Sequence, residues 1–142
     1  KDPYFQNVVI AVDADSDLPK GKKDYGNMIR LPGESVNSKS LSPERSLHKF
    51  LEDWKSNPSA FSEAKAVTGF QNISSDFINE RFLIHKFNME DRDSAKKWWR
   101  ENNELIRKLN LIQAWAIKHQ DKVQQLAQDL DLAVDKVAKR LK

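Results

Sequence analysis

Three aspartates at a spacing of two follow an apolar run near the start of the chain, in the sequence VVIAVDADSD (residues 8–17). Because side chains alternate across a β-strand, Asp13 and Asp15 are predicted to point to the same side where the strand leaves its sheet. Open α/β sheets bind ligands at this carboxyl edge, and Mg²⁺ is usually held by one or two carboxylates with waters and phosphate oxygens. The pattern predicts Asp13 and Asp15 as ligands of a divalent metal, with Asp17 acting directly or through a water.

Three other interpretations of these aspartates stay open. A calcium-binding loop has glycine at its sixth position and follows a helix, whereas this chain has Leu18 there and a predicted strand before it. A phosphoacceptor receiver domain also carries acids at strand ends, but it needs an acidic pair at an earlier strand and a different order of elements. Aspartates are also common in solvated turns, where their side chains bond to the local backbone.

Other catalytic chemistries lack the residues that they need. The chain has no cysteine, which excludes disulfides and thiolate metal sites, and its three histidines show no metal-ligand spacing. No recognisable nucleophile motif and no glycine-rich phosphate loop are present, so nucleophilic hydrolysis and ATP binding by this chain are not expected. The four tryptophans lie among apolar residues at helical spacing and are predicted to belong to the core.

The front of the chain is predicted to contain two strands. Residues 8–12 are apolar and mostly β-branched, which is typical of a strand buried on both faces in a parallel sheet. Residues 18–27 contain one proline, two glycines and three lysines, so they are predicted to form an exposed loop. A second short strand is predicted at residues 28–31, and it ends at Pro32 and Gly33.

Helices are predicted for most of the remainder. In SPERSLHKFLEDWKSNP, Ser42 is the expected cap, apolar residues recur at spacings of three and four, and Asn57 with Pro58 ends the helix. A short helix is predicted at residues 60–67, an ambiguous segment follows at 76–85, and helix dominates from residue 94 with a break near Asn110. The last helix carries an apolar seam that either packs on the chain's own sheet or docks on a partner: Val123, Leu126 or Ala127, Leu130, Val134, Val137 and Leu141.

Size and composition suit one soluble domain or part of a larger protein. The chain has 142 residues, of which 39% are hydrophobic and 32% charged, and no apolar run approaches the roughly 20 residues of a membrane span. The absence of cysteine and of a signal-type start favours the cytoplasm. Because the chain begins with KDPYFQN, without methionine and close to a strand, we expect a segment of a longer protein.

Charge is distributed unevenly along the chain. Residues 1–91 hold 12 basic and 14 acidic residues, whereas residues 92–142 hold 12 basic and 7 acidic residues. This division suits carboxylates around a metal in the front and lysines near a polyanion in the tail, or else solvated faces of lysine-rich helices. Charge alone does not decide between the two.

The motifs together resemble the TOPRIM domain of the OLD (overcoming lysogenization defect) family of nucleases. VVIAVDADSD looks like the hydrophobic strand that ends in the DxD motif of that family, and IRLPGESVNSKSLSPERSLHKFL looks like the following LPG, Pro-Glu and helix segment. The similarity covers residues 5 to about 55 and extends loosely through AKKWW. It implies an α/β fold, with a TOPRIM-like parallel sheet flanked by helices (residues 1–91) and a helical C-terminal tail (residues 92–142).

The resemblance also implies a site and an activity. Asp13 and Asp15, joined by Asp17, would hold Mg²⁺ or Mn²⁺, and Glu44 would be a further acid of the site. A late lysine would stabilise charge on the phosphate, and the matching positions are Lys96 and Lys97. The implied activity is metal-dependent cleavage of DNA, or of RNA, in a cytoplasmic phage-defence protein.

One departure from the family pattern concerns the upstream part of the site. The pattern needs a catalytic glutamate on an earlier strand, and only seven residues precede the strand here, so we expect the first strand to be missing and this chain alone to be inactive. The resemblance implies an upstream ABC-type ATPase domain or partner chain and a homo-oligomer formed through the parent protein. The alternative is a catalytically silent interaction or oligomerisation module.

Overall fold

Two short parallel strands form the front of the molecule. The computed structural model describes residues 8–16, 28–70 and 73–141, and within them β1 (Ile10–Val12) pairs with β2 (Met28–Arg30). Ile10 lies opposite Met28, and Val12 lies opposite Arg30. The fold is mixed α/β with a parallel strand pair, as the sequence predicted. Asp17 and the predicted loop at 18–27 lie outside the described residues.

The first strand is shorter and less buried than its sequence predicted. It begins at Ile10 rather than Val8, its central residue Ala11 is exposed, and Ile10 and Val12 are only partly buried. Within the described residues β1 pairs with a single neighbour, β2, so one of its edges has no strand there to cover it. The prediction of a strand buried on both faces was therefore wrong for this segment.

A small hairpin occupies the segment that the sequence left as a polar loop. β3 (Ser35–Val36) pairs antiparallel with β4 (Lys39–Ser40). The two residues between them, Asn37 and Ser38, have φ angles of 51° and 65°. Positive φ at both positions is the geometry of the type I′ turn that connects tight hairpins.

The first helix, α1 (Pro43–Ser56), begins and ends where its sequence predicted. The Ser42 hydroxyl accepts a hydrogen bond from the Arg45 N–H at 3.3 Å, and Pro43 occupies the first turn, where no N–H partner is needed. The helix ends at Asn57, and its inner face buries four large apolar residues: Leu47, Phe50, Leu51 and Trp54.

The rest of the described chain is helical. A 3₁₀ turn at Pro58–Phe61 precedes α2 (Ser62–Thr68), which ends at Gly69 with φ of 71°. The ambiguous segment is helical too, since α3 (Ser75–Ile78) continues as a π-helix at Asn79–Leu83. The remaining helices are α4 (Arg92–Lys108), α5 (Leu111–Lys118) and α6 (Gln120–Arg140). The predicted break is confirmed, because Asn110 between α4 and α5 has φ of 52°.

One hydrophobic core joins α1 to the later helices. Trp98 on α4 is fully buried and donates a hydrogen bond from Nε1 to the Phe82 carbonyl oxygen at 2.8 Å. Trp54 stacks on Phe61 with ring centroids 5.7 Å apart. Trp115 on α5 is also buried, so these three tryptophans are core residues as predicted. No helix in the described ranges is long and apolar enough to cross a membrane.

The predicted seam of α6 is mostly exposed. Among its predicted members only Val137 is buried, while Val123, Leu130 and Val134 are 37–49% exposed and Leu141 is 66% exposed. The helix turns 100° per residue, and its buried face is centred instead on Ala133 and Val137. The period was predicted correctly, but most of the stripe lies beside the packing face rather than on it.

Candidate active site

The predicted metal ligands lie on a tight turn at the end of β1. The Ser16 N–H bonds to the Asp13 carbonyl oxygen at 3.0 Å, which closes the turn around Ala14 and Asp15. The side chains of Asp13 and Asp15 are both exposed. The turn therefore presents the two carboxylates to solvent at the carboxyl edge of the strand, where the sequence predicted them.

The neighbouring strand holds this acidic turn, which we define as residues 13–16. The Leu31 N–H continues the strand pairing with a bond to the Val12 carbonyl oxygen at 2.8 Å. The Arg30 guanidinium donates to the carbonyl oxygens of Ala14 and Ser16. Sequence reasoning missed Arg30, because nothing local to the segment MIR indicates that its side chain reaches a turn 14 residues earlier.

Glu44 owes its position to the cap of α1. Ser42 and Pro43 fix the start of the helix, so Glu44 lies in its first turn and is partly buried. A carboxylate at a helix N-terminus is stabilised by the helix dipole, by about 0.3–1 kcal/mol. This local effect accounts for a glutamate here whether or not a metal binds to it.

The start of α4 supplies the basic side of the site. Asp91 caps this helix, accepting hydrogen bonds from the Ser94 N–H at 3.0 Å and the Ser94 hydroxyl at 2.8 Å. These bonds lower the pKa of the Asp91 carboxyl, the hydroxyl bond contributing most. The cap fixes the first turns of α4, in which Ala95 is buried and its neighbour Lys96 is exposed.

These three segments enclose a cavity of about 280 Å³. Four predicted site residues line it together, namely Asp13 and Asp15 from the acidic turn, Glu44 from α1 and Lys96 from α4. Lys97, the other candidate lysine, is exposed and is not among the residues that line the cavity. The geometry therefore favours Lys96 over Lys97 for a role in this site.

Further charged residues of the cavity were missed from the sequence. Glu90 adds a fourth carboxylate, and Arg45 and Arg92 join Lys96 as cationic groups. Arg45 follows Glu44 in the motif SPER, so its position next to a candidate site residue was a usable signal. Glu90 and Arg92 had no such signal, because they reach the cavity only through the packing of α4 against α1.

The carboxylates line the cavity without forming a compact metal cluster. In the described part of the chain, no group of three or more histidine, aspartate or glutamate side chains is placed to hold a metal ion. The donor set nevertheless suits Mg²⁺ or Mn²⁺, which prefer carboxylate oxygens and commonly take only one or two of them, with waters and substrate phosphates as the other ligands. Asp13, Asp15 and Glu44 are the carboxylates from which those one or two ligands could come.

A buried carboxylate beside the site was also missed. Glu34 follows Gly33 in the LPG motif, and its side chain is only 6% exposed. His119 Nε2 lies 2.8 Å from one carboxylate oxygen, and Lys49 Nζ lies 3.6 Å from the other. This contact could not be predicted from the sequence, because His119 is 85 residues away from Glu34 along the chain.

Comparisons with known proteins found no relative of this chain. No family model matches the chain, and no curated protein and no solved structure shows significant similarity to it. The resemblance to TOPRIM nucleases therefore depends on the motifs at residues 8–17 and 29–51.

Proposed function

We propose that this chain is the TOPRIM-like part of a metal-dependent nuclease that hydrolyses phosphodiester bonds in DNA. The observation that carries the proposal is the cavity, which Asp13, Asp15, Glu44 and Lys96 line together. These residues come from three separate segments of the chain: the acidic turn, the start of α1 and the start of α4. Their convergence on one cavity supports a common chemical task.

The acidic residues would serve the metal. Asp13 and Asp15 supply hard oxygen ligands, and Glu44 adds a third carboxylate from the first turn of α1. When bound, Mg²⁺ or Mn²⁺ would make a water a stronger nucleophile and would offset charge on the leaving oxygen. Hydrolysis would form a bond between the water oxygen and phosphorus and break the bond to the leaving ester oxygen, with the water giving up one proton and the leaving oxygen taking one up.

The basic residues of the cavity would bind the phosphate. Lys96, Arg45 and Arg92 add positive charge to the lining of the cavity, which suits a substrate that carries a negative charge of its own. None of these contacts distinguishes deoxyribose from ribose, because phosphate recognition carries no information about the sugar. DNA follows from the resemblance, and RNA is the alternative substrate.

The metal site is tested by titration of Mn²⁺ and Mg²⁺ into the chain by calorimetry. The double variant Asp13→Asn, Asp15→Asn should lower the Mn²⁺ affinity by more than about tenfold, because it removes the two carboxylates of the acidic turn. Asp135→Asn is the matched control, since Asp135 is an exposed acid that pairs with Lys139 on α6. Equal Mn²⁺ affinity in the wild type and the double variant would refute the site.

An interaction module is the second candidate, and the exposure of the α6 stripe favours it. Val123, Leu130, Val134 and Leu141 lie on one side of α6 and are all at least 37% exposed. A row of exposed apolar residues at coiled-coil spacing is typical of a surface that meets another helix. On this hypothesis the stripe docks on a second copy of the chain or on an ATPase domain of the parent protein.

Self-association through the stripe is measurable by light scattering across a concentration series. The double variant Leu130→Gln, Val134→Gln should convert an oligomer to a monomer, because it removes apolar surface from the stripe. Leu132→Gln is the control, since Leu132 is 62% exposed and lies 200° from Val134 around the helix. A wild-type chain that is monomeric throughout the series would remove the support for self-association.

A further inference from the structure

Gly33 packs directly against the middle of the acidic turn. A methyl group at Gly33 would lie 2.8 Å from Ala14 Cβ and 2.8 Å from the Leu41 carbonyl oxygen, closer than such atoms approach in proteins. Ala14 is the residue between Asp13 and Asp15. The position of Gly33 therefore limits where the two carboxylates can lie.

The start of α6 holds Gly33 and Glu34 from the other side. Lys122 Nζ donates to the Gly33 carbonyl oxygen at 2.7 Å, and His119 Nε2 lies 2.8 Å from Glu34 Oε1. The partners in these two contacts are 89 and 85 residues apart in the chain. These two contacts hold the start of α6 against Gly33 and Glu34, and Gly33 in turn packs on the acidic turn.

Glu34 is buried, so its carboxylate needs partners such as His119. Its carboxylate is buried, and a buried charge is costly unless charged or polar partners compensate it. The Glu34 N–H donates to the Ser46 hydroxyl at 3.0 Å, and Lys49 Nζ lies 3.6 Å from Oε2. The pKa of Lys49 is raised, chiefly by its hydrogen bond to Asp53 and further by the charge of Glu34. Glu34 thus links α1 and His119 at one point.

We propose that His119 and Lys122 are positioning residues for the metal site, acting through Glu34 and Gly33 on the acidic turn. Neither residue is among those that line the cavity, and their effect passes through the packing of Gly33 on Ala14. The expected effect of His119 and Lys122 on metal binding rests on the proposed function. Their expected effect on the backbone of the acidic turn does not rest on it, so the two effects are measured separately.

The backbone effect is measured by hydrogen exchange at the Leu31 amide, which bonds to Val12 immediately before the acidic turn. Lys122→Met should speed this exchange about tenfold relative to amides in the middle of α4, and Lys122→Arg should restore it by keeping a donor to Gly33. Lys118→Met is the matched control, because Lys118 also donates to a backbone carbonyl, that of Ala60. His119→Gln is a second, milder variant.

Metal binding is measured on the same variants by Mn²⁺ calorimetry. We expect Lys122→Met to lower Mn²⁺ affinity by about tenfold, the size of effect typical of residues that support metal ligands, and Lys118→Met to leave it unchanged. Unchanged exchange at Leu31 in Lys122→Met would overturn the positioning role. Faster exchange in a protein whose wild type binds no Mn²⁺ would support the positioning role and overturn the proposed metal site.

Discussion

At the scale of single residues, Lys96 and Lys97 offer a direct test of phosphate binding. They are neighbours on α4 with the same side chain, but only Lys96 lies among the residues lining the cavity. We expect Lys96→Met to weaken binding of a short DNA duplex, measured by fluorescence anisotropy with Ca²⁺ in place of Mg²⁺. Because this variant removes one contact between a lysine and a phosphate, the slope of log affinity against log salt should also become shallower by about 1.

Lys97→Met is the control for that measurement. It removes the same charge from the same helix without changing the cavity, so the salt dependence of binding should match that of the wild type. If the two variants weaken binding equally, the duplex is attracted by the general charge of the basic tail rather than by the cavity.

The same scale shows why part of the site was predictable from the sequence. Asp13, Asp15 and Glu44 each carry a local signal, either the end of an apolar strand or the first turn of a capped helix. Arg30 and Glu34 carry no local signal, because their roles arise from contacts with distant segments. Apart from Arg45, the residues of the site that were missed from the sequence are therefore those that depend on long-range packing.

At the scale of elements, helix ends were predictable and helix faces were less so. Ser42 begins α1 through a local hydrogen bond, and Gly69 ends α2 through its backbone geometry. The backbone geometry of Asn110 separates α4 from α5 in the same local way. The orientation of α6 depends instead on what lies beneath it, and β2 and Gly33 are remote in the sequence. The period of its apolar residues therefore predicted a helix but not which side of it is buried.

The front strands show the same limit in a different form. The apolar run at residues 8–12 fits burial on both faces, yet Ala11 is exposed in the structure. An apolar run indicates that a segment tends to be buried, but its actual burial depends on which other elements pack against it. Within the described residues β1 has one strand partner. The parallel pairing itself was predicted, because a continuous apolar run of β-branched residues is typical of parallel sheets.

At the scale of the whole molecule, the burial of His48 is expected to make the stability of the hydrophobic core depend on pH. Its side chain is 16% exposed, its ring packs edge-on against Trp98 at 5.2 Å, and its Nδ1 lies 2.9 Å from a Glu52 oxygen. Burial lowers the pKa of His48 below its ordinary value of 6.5, and this effect outweighs the attraction of Glu52. The neutral form is therefore favoured in the folded state.

The sign of the resulting pH dependence follows from that shift. A histidine whose pKa is lower in the folded state binds its proton more readily when unfolded, so its contribution to stability is complete above pH 6.5 and is lost as the pH falls through the folded pKa. We expect the free energy of unfolding in urea to fall between pH 7.5 and 5.5, and His48→Gln to reduce that fall. His85→Gln, at an exposed histidine, should retain the slope of the wild type. A His48→Gln protein with the wild-type slope would show that this burial does not control the pH response of the core.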